Sequence, residues 1–416
     1  MSEVHDAIII GGGPAGSTAA LLLARAGWSV ALLERKVFPR RKVCGEYLSA
    51  TNLPLFDHLG IGARFRALAG PPVKRVGLFA GDTIAQSKLP PLSSRDPEWG
   101  RALAREHLDT WLGDQARAEG VEVCQPWTVD ELADEGAVYA CEARSMETDA
   151  LETIRAPIVI AAHGSWEPGR LPTQAARQPG LPADLLAFKA HFRDSELPEG
   201  LMPLLAFPGG YGGMVHCGDG LVSLSCCVRR DQLARLRAGQ AGDASDAVLA
   251  HIQASCLGVR KALTAATRDG PWLAAGPIRP GVRLNSFGGV FPIGNAAGES
   301  HPVIAEGISM AMQSAWILCR LLIDWRRQSG TRPALALVAR RYAKSWREAF
   351  LPRLNTSRVL AEWAMRPALV ASVLPFIWSC PTMMTWIARL SGKAQQIVRS
   401  PSKPVAISTG PRKDNP

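Results

Sequence analysis

The chain has 416 residues, of which 47% are hydrophobic and 20% are charged. That composition is typical of a folded protein of two or three domains and excludes a wholly disordered chain. The net charge of +10 is spread along the sequence without an aromatic and basic recognition module, so we expect no nucleic-acid binding. Nine scattered cysteines without paired metal spacing, and first residues that hold no cleavable signal, predict a cytoplasmic protein without a metal site.

The first predicted unit is a strand, a glycine-rich turn, a helix and a second strand. It begins with Asp6-Ala-Ile-Ile-Ile-Gly11-Gly-Gly13-Pro-Ala-Gly16. Gly11 allows a tight turn, Gly13 lets the backbone approach a pyrophosphate, and Gly16 lets the helix pack on the strand. Glu34 ends the second apolar strand, where an acid can accept hydrogen bonds from ribose hydroxyls. The unit predicts a dinucleotide site with phosphates at a helix N-terminus.

The next elements alternate between helix and strand. Residues 42–49 are too irregular in hydrophobic period for a strand or a surface helix, whereas residues 100–112 have apolar positions at helical spacing. Short strands are predicted at 121–124 and 158–162. Proline and glycine residues over 168–182 then predict a crossover out of this α/β layer.

The second half of the chain begins with a region of different composition. Residues 185–228 predict an antiparallel sheet of short strands, with turns at 208–210, 212–213 and 218–220. Strand character returns at 287–293, and a helix is predicted over 304–322.

Four segments carry a resemblance to a known family. They are the opening glycine motif, Phe38-Pro-Arg-Arg-Lys-Val-Cys-Gly-Glu46, Arg105 with Leu108-Asp109, and Gly294-Asn-Ala-Ala-Gly-Glu-Ser-His-Pro302 through Glu306-Gly-Ile308. In this order and spacing they resemble the geranylgeranyl reductase branch of FAD-dependent oxidoreductases, within the p-hydroxybenzoate hydroxylase-like superfamily. The resemblance runs from Asp6 to about Leu322 and implies FAD as the tightly held cofactor.

The resemblance and the element pattern together predict an α/β fold. It has a three-layer Rossmann-type FAD-binding domain, an inserted antiparallel-sheet substrate domain and a helical C-terminal extension. We assign 1–75, 98–170 and 281–325 to the FAD-binding domain, 76–97 and 171–280 to the substrate domain, 326–399 to the extension and 400–416 to a disordered tail.

The resemblance also implies roles in cofactor binding. It places Glu34 on the adenosine ribose, Arg35 beside the adenine and Arg105 across the pyrophosphate. The family normally has Asp where this chain has Asn295, which keeps a carbonyl acceptor but loses the charge. The expected cofactor set is Gly11, Gly13, Pro14, Ala15, Gly16, Glu34, Arg35, Gly45, Arg105, Gly294, Asn295, Gly307 and Ile308. The amides of the last two would face the flavin N1 and O2 edge, where the helix dipole stabilises negative charge.

The expected catalytic residues come from the same resemblance. The Cys44-Gly45 segment lies near the isoalloxazine in the resembling reductases, so Cys44, Glu46 and Tyr47 are candidates for a proton donor or a ring contact. Tyr211 falls where relatives place residues over the active site, and His301 could act as an acid. Each residue also has a structural interpretation. Cys44 is then a small packing residue, Tyr211 is a hairpin residue with one face buried, and His301 is a structural hydrogen-bonding residue.

The source of electrons is open. The chain has His163-Gly164 where the hydroxylase relatives carry Asp-Gly, a motif tied to both FAD and NADPH handling. It also lacks a second glycine fingerprint for a separate NAD(P)H domain. Electrons are therefore expected from transiently bound NAD(P)H or from an external carrier.

The stretch 367–388 is uncharged and about long enough to cross a bilayer. Pro375 and Pro381 would each break a helix. Two short helices that cap the substrate cavity are favoured over an interfacial patch, which would give peripheral membrane contact, and over a true span.

The favoured function is an FAD-dependent reductase or dehydrogenase of carbon-carbon bonds in a lipophilic or carrier-presented substrate, acting by hydride transfer through flavin N5. The alternatives are a flavin monooxygenase that hydroxylates or epoxidises, and a non-catalytic electron-transfer flavoprotein. Flavin halogenases share the implied fold and carry a Trp-x-Trp-x-Ile-Pro element, but none of the twelve tryptophans here is spaced by two. Halogenation is therefore disfavoured.

Overall fold

The structure is a computed structural model that describes residues 4–93, 97–165, 169–174, 176, 178–238, 242–286, 288–328, 330–366, 369–370, 372 and 397–398. The tail at 400–416 and nearly all of the apolar stretch at 367–388 lie outside these described residues. Within them, every helix is too short or too polar to traverse a bilayer.

The described helices lie mainly in the first and last thirds of the chain. They are α1 (Pro14–Arg25), α2 (Leu53–His58), α3 (Gly62–Leu68), α4 (Arg105–Ala118), α5 (Arg230–Arg237), α6 (Ala244–Ser255), α7 (Leu257–Ala262), α8 (Gly307–Gln328) and α9 (Arg332–Ala364). Short 3-10 helices span Ala50–Asn52, Gly294–Ala296 and Pro302–Ile304.

The described strands lie between the start of the chain and α8. They are β1 (Ala7–Ile10), β2 (Val30–Leu33), β3 (Tyr47–Leu48), β4 (Arg75–Ala80), β5 (Thr83–Lys88), β6 (Arg101–Ala102), β7 (Glu122–Cys124), β8 (Trp127–Asp134), β9 (Tyr139–Ser145), β10 (Leu151–Ala156), β11 (Ile158–Ala161), β12 (Leu185–Arg193), β13 (Leu201–Phe207), β14 (Gly210–His216), β15 (Val222–Arg229), β16 (Thr267–Ile278), β17 (Gly281–Val282), β18 (Val290–Pro292) and β19 (Gly298–Glu299).

The first sheet is five-stranded and parallel, in the order β18-β11-β1-β2-β7. Its side chains alternate between two cores, because successive residues of a strand point to opposite faces. Ile9 packs in the core with α1, α4 and α8, whereas Ile8 and Ile10 pack against the antiparallel sheet β10-β9-β8. These three layers confirm the predicted Rossmann-type fold class.

The second large sheet has seven strands in the order β16-β12-β15-β14-β13-β4-β5. All its pairs are antiparallel except β4 with β13. One face carries Phe188 and Phe192 against Val248 and Ile252 of α6. The opposite face is turned toward the nucleotide-binding layers and lines the central cavity.

The predicted turn at 212–213 is wrong, because both glycines lie inside β14 and pair with β13 and β15. A Cβ at Gly212 would stand 2.7 Å from the Ser225 carbonyl oxygen. Glycine is needed here because the neighbouring backbone approaches closely, which is a common reason for glycine inside a strand.

Three other predicted elements have shifted ends. The helix expected at 100–112 begins at Arg105, because residues 101–102 form β6 and pair with β3. The strand expected at 287–293 is β18, and the helix expected at 304–322 is α8, which runs to Gln328. The extension after α8 continues as α9, whose Trp346 and Phe350 are buried in the same core as α8.

Candidate active site

One cavity of about 750 Å³ runs between the nucleotide-binding layers and the seven-stranded sheet. Every predicted cofactor residue except Gly16 lines it, and so do four of the five predicted catalytic residues. His301 stands just behind the wall and contacts Tyr211, which does line the cavity. The structure therefore brings the predicted site residues to one place, although they come from four distant segments.

The turn between β1 and α1 forms a cradle for a nucleotide. A Cβ on Gly16 would clash with the Gly11 carbonyl oxygen, which explains why this position packs the helix instead of lining the cavity. Helix α1 begins with Pro14 directly at the cavity, so its first backbone amides have no partner within the helix. Such amides and the helix dipole favour a phosphate.

Glu34 ends β2 and is held in place by backbone donors. Its Oε2 accepts a hydrogen bond from the Gly12 amide at 2.8 Å, and its Oε1 accepts one from the Lys36 amide at 2.9 Å. The carboxylate is buried but still lines the cavity. Oε2 also receives a long hydrogen bond from Arg40 at 3.5 Å. Since a carboxylate oxygen has two lone pairs, Oε1 keeps a site for a ribose hydroxyl.

Two arginines share one buried carboxylate beside the cradle. Arg105 makes a two-pronged contact with Asp109, with both distances at 2.7 Å, and Arg40 approaches Asp109 at 3.2 Å and Glu34 at 3.5 Å. Burial lowers the pKa of Arg105, but Asp109 and the nearby Cys44 outweigh it and raise the pKa. The two guanidinium groups are thus fixed cations on the cavity wall, which suits a diphosphate.

Lys42 adds an amine to this wall. Burial and the charges of Arg105 and Arg40 lower the pKa of its amine. The sequence predicts no role for Lys42 or Arg40. The only available signal was the density of basic residues in the segment after β2.

The segment from Gly294 to Ile308 also borders the cavity, with Gly294 beside Ala15 of α1. The Gly294 amide donates to Ser314 Oγ at 2.8 Å, and Asn295 Nδ2 donates to Glu299 at 3.1 Å. The amide of Asn295 is therefore oriented by Glu299, which leaves its carbonyl oxygen as the acceptor. Gly307 and Ile308 begin α8 at the cavity wall.

These features fit FAD. The cradle presents helix amides and cations to a diphosphate, and Glu34 is placed for a ribose. The start of α8 offers unpaired helix amides to a ring edge that gains negative charge. The residues present can therefore hold the adenosine, the diphosphate and the flavin ring in one cavity.

Glu46 is buried in a charged cluster. Its carboxylate pairs with Lys189 and accepts hydrogen bonds from His191 at 2.8 Å and from the Arg105 amide at 2.9 Å. Burial alone would raise the pKa of Glu46, but the His191 hydrogen bond and the Lys189 charge hold it at about 2. An ionised carboxylate with occupied oxygens is a poor proton donor, so the structure favours a positioning role over the expected catalytic one.

The same cluster includes Cys217, whose sulfur lies near the Glu46 and His191 ligand atoms, all within 4.8 Å. Ligands of these types could hold a metal ion. Lys189 already neutralises the carboxylate, however, so the cluster is balanced as an ion pair with a hydrogen-bonded histidine.

The other two catalytic candidates near Glu46, Cys44 and Tyr47, have different surroundings. Cys44 lines the cavity and its Sγ accepts a hydrogen bond from the Glu46 amide at 3.4 Å. Tyr47 is buried, and burial together with the charge of Glu306 raises the pKa of its phenol. Tyr47 is therefore a neutral hydroxyl, whereas Cys44 is a thiol within reach of a bound ligand.

Tyr211 and His301 are far apart in the sequence but form a hydrogen-bonded pair. The Tyr211 hydroxyl lies 3.3 Å from His301 Nδ1, and the His301 amide donates to Ser357 Oγ of α9 at 3.2 Å. Burial raises the pKa of Tyr211 far above its usual range. Burial also lowers the pKa of His301, so the pair is neutral near pH 7.

The wall beyond Tyr211 is mostly apolar. It is made by β4, β13 and β14 of the seven-stranded sheet and by the end of α9. Its larger side chains are Val76, Leu78, Met202, Leu204, Met214, Leu360 and Trp363. Trp363 is 39% exposed although it lines the cavity, so it stands at the mouth.

His163, for which the resemblance led us to expect an acid, lines the cavity. Its Nδ1 lies 2.8 Å from the Gly164 carbonyl oxygen and its Nε2 lies 2.8 Å from Thr173 Oγ1. Both ring nitrogens are thus used within the protein. This residue supplies no carboxylate to a cofactor.

Comparison with known proteins agrees with this geometry. The model of the FAD binding domain family matches residues 4–340. The chain is 27% identical over 402 residues to digeranylgeranylglycerophospholipid reductase 1 of Methanopyrus kandleri, covering 94% of this chain and 98% of that one. It is 22% identical over 420 residues to the menaquinone reductase of Mycolicibacterium smegmatis, covering 94% and 92%.

A solved structure with the same fold is the myxobacterial chondrochloren halogenase. It superposes with a TM-score of 0.72 at 21% identity and covers 96% of this chain and 93% of that chain. The fold is therefore shared by flavoproteins of different chemistry. The chain belongs to the FAD-binding domain family and is an FAD-dependent oxidoreductase.

Proposed function

We propose that this flavoenzyme reduces or dehydrogenates carbon-carbon bonds of a lipophilic or carrier-presented substrate. Bound FAD supplies hydride transfer at its N5. The observation that carries the proposal is one continuous cavity that joins the nucleotide cradle to an apolar chamber lined by Tyr211. A flavin held in the cradle would extend toward that chamber, and a substrate would fill it.

The chamber favours an apolar substrate. Aliphatic side chains of the seven-stranded sheet and of α9 form its wall, and Trp363 gives its mouth an apolar edge. Burying apolar substrate surface there contributes about 25 cal/mol per Å². The names of the two reductase relatives give a digeranylgeranyl glycerophospholipid and menaquinone as substrates, and both are reasonable probes.

Reduction of a double bond consumes one hydride and one proton. Tyr211 remains protonated at neutral pH and lines the chamber, so it can donate that proton. His301 is neutral, half-buried and hydrogen-bonded to Tyr211, so it can return a proton from solvent. Cys44 is the second candidate donor, on the cradle side of the cavity.

The electrons come from transiently bound NAD(P)H or from an external carrier. His163 replaces the relatives' acid and is held by Thr173 and the Gly164 carbonyl, which supports the absence of a dedicated nicotinamide acid. A substrate of this chemistry has to leave a membrane or a carrier. We therefore propose peripheral contact with one of them at the mouth beside Trp363.

The test uses FAD-loaded protein reduced anaerobically with dithionite. Menaquinone and a digeranylgeranyl glycerophospholipid, each in detergent micelles, are added separately, with the fully saturated phospholipid as control. After any quinol has been reoxidised in air to the quinone, mass spectrometry should find two added hydrogens for each reduced carbon-carbon bond. Product formation that requires oxygen and carries ¹⁸O from ¹⁸O₂ would instead establish the monooxygenase alternative.

Two variants test the proton donors in the same assay. Tyr211→Phe should slow product formation strongly, and Cys44→Ala should slow it without loss of FAD. Full activity of Cys44→Ala would leave that residue a packing role. A flavin that neither reduces any probe nor reacts with oxygen would support the electron-transfer alternative.

A further inference from the structure

Helix α9 places one arginine in the interior. Arg353 is fully buried, with a side-chain exposure of 0%, and its guanidinium lies 5.4 Å from the centre of the Phe350 ring. Its Nε and Nη2 have no hydrogen-bond partner among the described residues. A buried donor left without a partner is destabilising, so a purely structural role would be poorly served by arginine.

The charged partner of Arg353 is Glu306. The two side chains approach to 3.6 Å, and both are fully buried. Glu306 directly precedes α8, whose first residues Gly307 and Ile308 lie on the cavity wall. The ion pair therefore stands immediately behind the helix terminus that is expected to face the flavin ring.

A buried hydrogen-bond network connects this pair to the start of the chain. Arg353 Nη1 donates to Gln313 Oε1 at 3.1 Å, and Gln313 Nε2 donates to Thr51 at 3.1 Å and Asn52 at 3.0 Å. All four side chains are fully buried. Arg353 thus contacts α8 and, through Gln313, the segment that follows Tyr47.

The charges at this terminus oppose each other. The amides at the start of α8 carry a partial positive charge, which stabilises negative charge on a nearby ligand. The Glu306 carboxylate, one residue before the helix, counteracts that effect. A guanidinium beside Glu306 offsets the carboxylate and leaves the helix terminus positive toward the cavity.

We propose that Arg353 is a positioning residue that raises the reduction potential of the flavin by offsetting Glu306 at the start of α8. Reduction adds negative charge to the flavin N1 edge, so a more positive helix terminus favours the reduced form. The proposal rests on FAD binding and on the expected orientation of the flavin ring. It does not depend on which substrate is reduced.

The experiment measures the midpoint potential of the bound FAD by equilibration with a reference dye in four FAD-loaded variants. Arg353→Met should lower the ratio of reduced to oxidised flavin, at a fixed applied potential, at least tenfold. For a two-electron couple, that change corresponds to a fall of about 30 mV in the midpoint potential. Arg353→Lys keeps the charge and should stay near the parent value. Glu306→Gln should shift the ratio in the opposite direction, and the double variant of Glu306→Gln with Arg353→Met should return close to the parent.

A matched control is Arg326→Met, which removes the same charge at the far end of α8, where Arg326 pairs with Asp6. Its potential should not change. The proposal is overturned if Arg353→Met retains FAD and melts at a lower temperature but keeps the parent potential, because that describes a structural role only. If Arg353→Met does not fold, Glu306→Gln decides alone, and an unchanged potential in that variant also overturns the proposal.

Discussion

The two halves of the cavity are built on different principles. The cradle half is lined by charged groups that hold one another, as Arg40 and Arg105 do through Asp109, and by backbone amides that fix Glu34. The chamber half is lined by aliphatic side chains and by Tyr211, which pairs with His301 just behind the wall.

One fold can thus keep a cofactor while its chemistry varies. Fixed charges and helix termini recognise a diphosphate and a ribose, which are the same in every relative that binds FAD. An apolar wall can change residue by residue at small cost, since hydrophobic burial is non-directional. The Glu46 cluster lies where the halves meet, because it joins Arg105 on the cradle side to β12 of the sheet.

Disrupting the Glu46 cluster should have the strongest consequence. Glu46→Gln should lower the free energy of unfolding by about 3–5 kcal/mol, because it leaves the buried Lys189 ammonium without its carboxylate. Urea unfolding followed by flavin fluorescence measures the loss. The matched control combines Glu46→Gln with Lys189→Met, which removes both charges and should recover most of the stability.

The same cluster predicts an acid dependence. The pKa of Glu46 is about 2 in the folded chain against a usual value of 4.5, so its contribution is fully present above pH 4.5. That contribution, on the order of 3 kcal/mol, is lost as the pH falls from about 4.5 toward 2. The parent should therefore lose more stability over this range than the double variant, and parallel curves would contradict the assignment.

The next prediction concerns only the chamber half of the cavity. Tyr211→Phe should reduce kcat on an accepted substrate about a hundredfold, because it removes the proton donor but keeps the ring. FAD affinity should not change. Tyr342→Phe is the matched control. Tyr342 is equally buried, but its hydroxyl donates to the carbonyl oxygen of Pro292 in β18. Equal activities of the two variants would remove Tyr211 from the chemistry.

A third prediction concerns only the cradle half of the cavity. Glu34→Ala should raise the Kd of FAD roughly 30-fold, about 2 kcal/mol, because charge-assisted hydrogen bonds to the ribose are lost. Titration of apoprotein with FAD, followed by flavin fluorescence, measures it. Glu119→Ala, which removes an exposed carboxylate paired with Arg25, should leave the Kd unchanged. An unaltered Kd in Glu34→Ala would place the ribose elsewhere.

The cradle was predictable because its signals are local. A strand, three glycines, a helix and an acid follow one another within about thirty residues, and each position has a steric or electrostatic reason. The same argument predicted the three-layer fold, which the structure confirms. Gly212 and Gly213 show the limit of local reasoning, because a glycine inside a strand and one in a turn look alike in sequence.

The interior charge pairs were not predictable, because they join residues far apart in the chain. Lys189 and His191 alternate with aromatic and aliphatic residues along β12, which indicates one polar face of a strand but not its partner. Glu46 is separated from them by more than 140 residues. Arg353 lies in a helix with many other arginines, and only tertiary packing distinguishes it from those on the surface.

A weaker effect is expected at the mouth of the chamber. Trp363→Ala should raise KM for a lipophilic substrate about fivefold, near 1 kcal/mol, because part of the apolar edge is lost while the cradle is untouched. The flavin spectrum and the Kd of FAD should match the parent. Leu337→Ala removes an exposed apolar side chain from the same helix but away from the cavity, and it should leave KM unchanged. If both variants raise KM equally, the substrate approaches along the whole surface of α9, and the opening beside Trp363 is not its entrance.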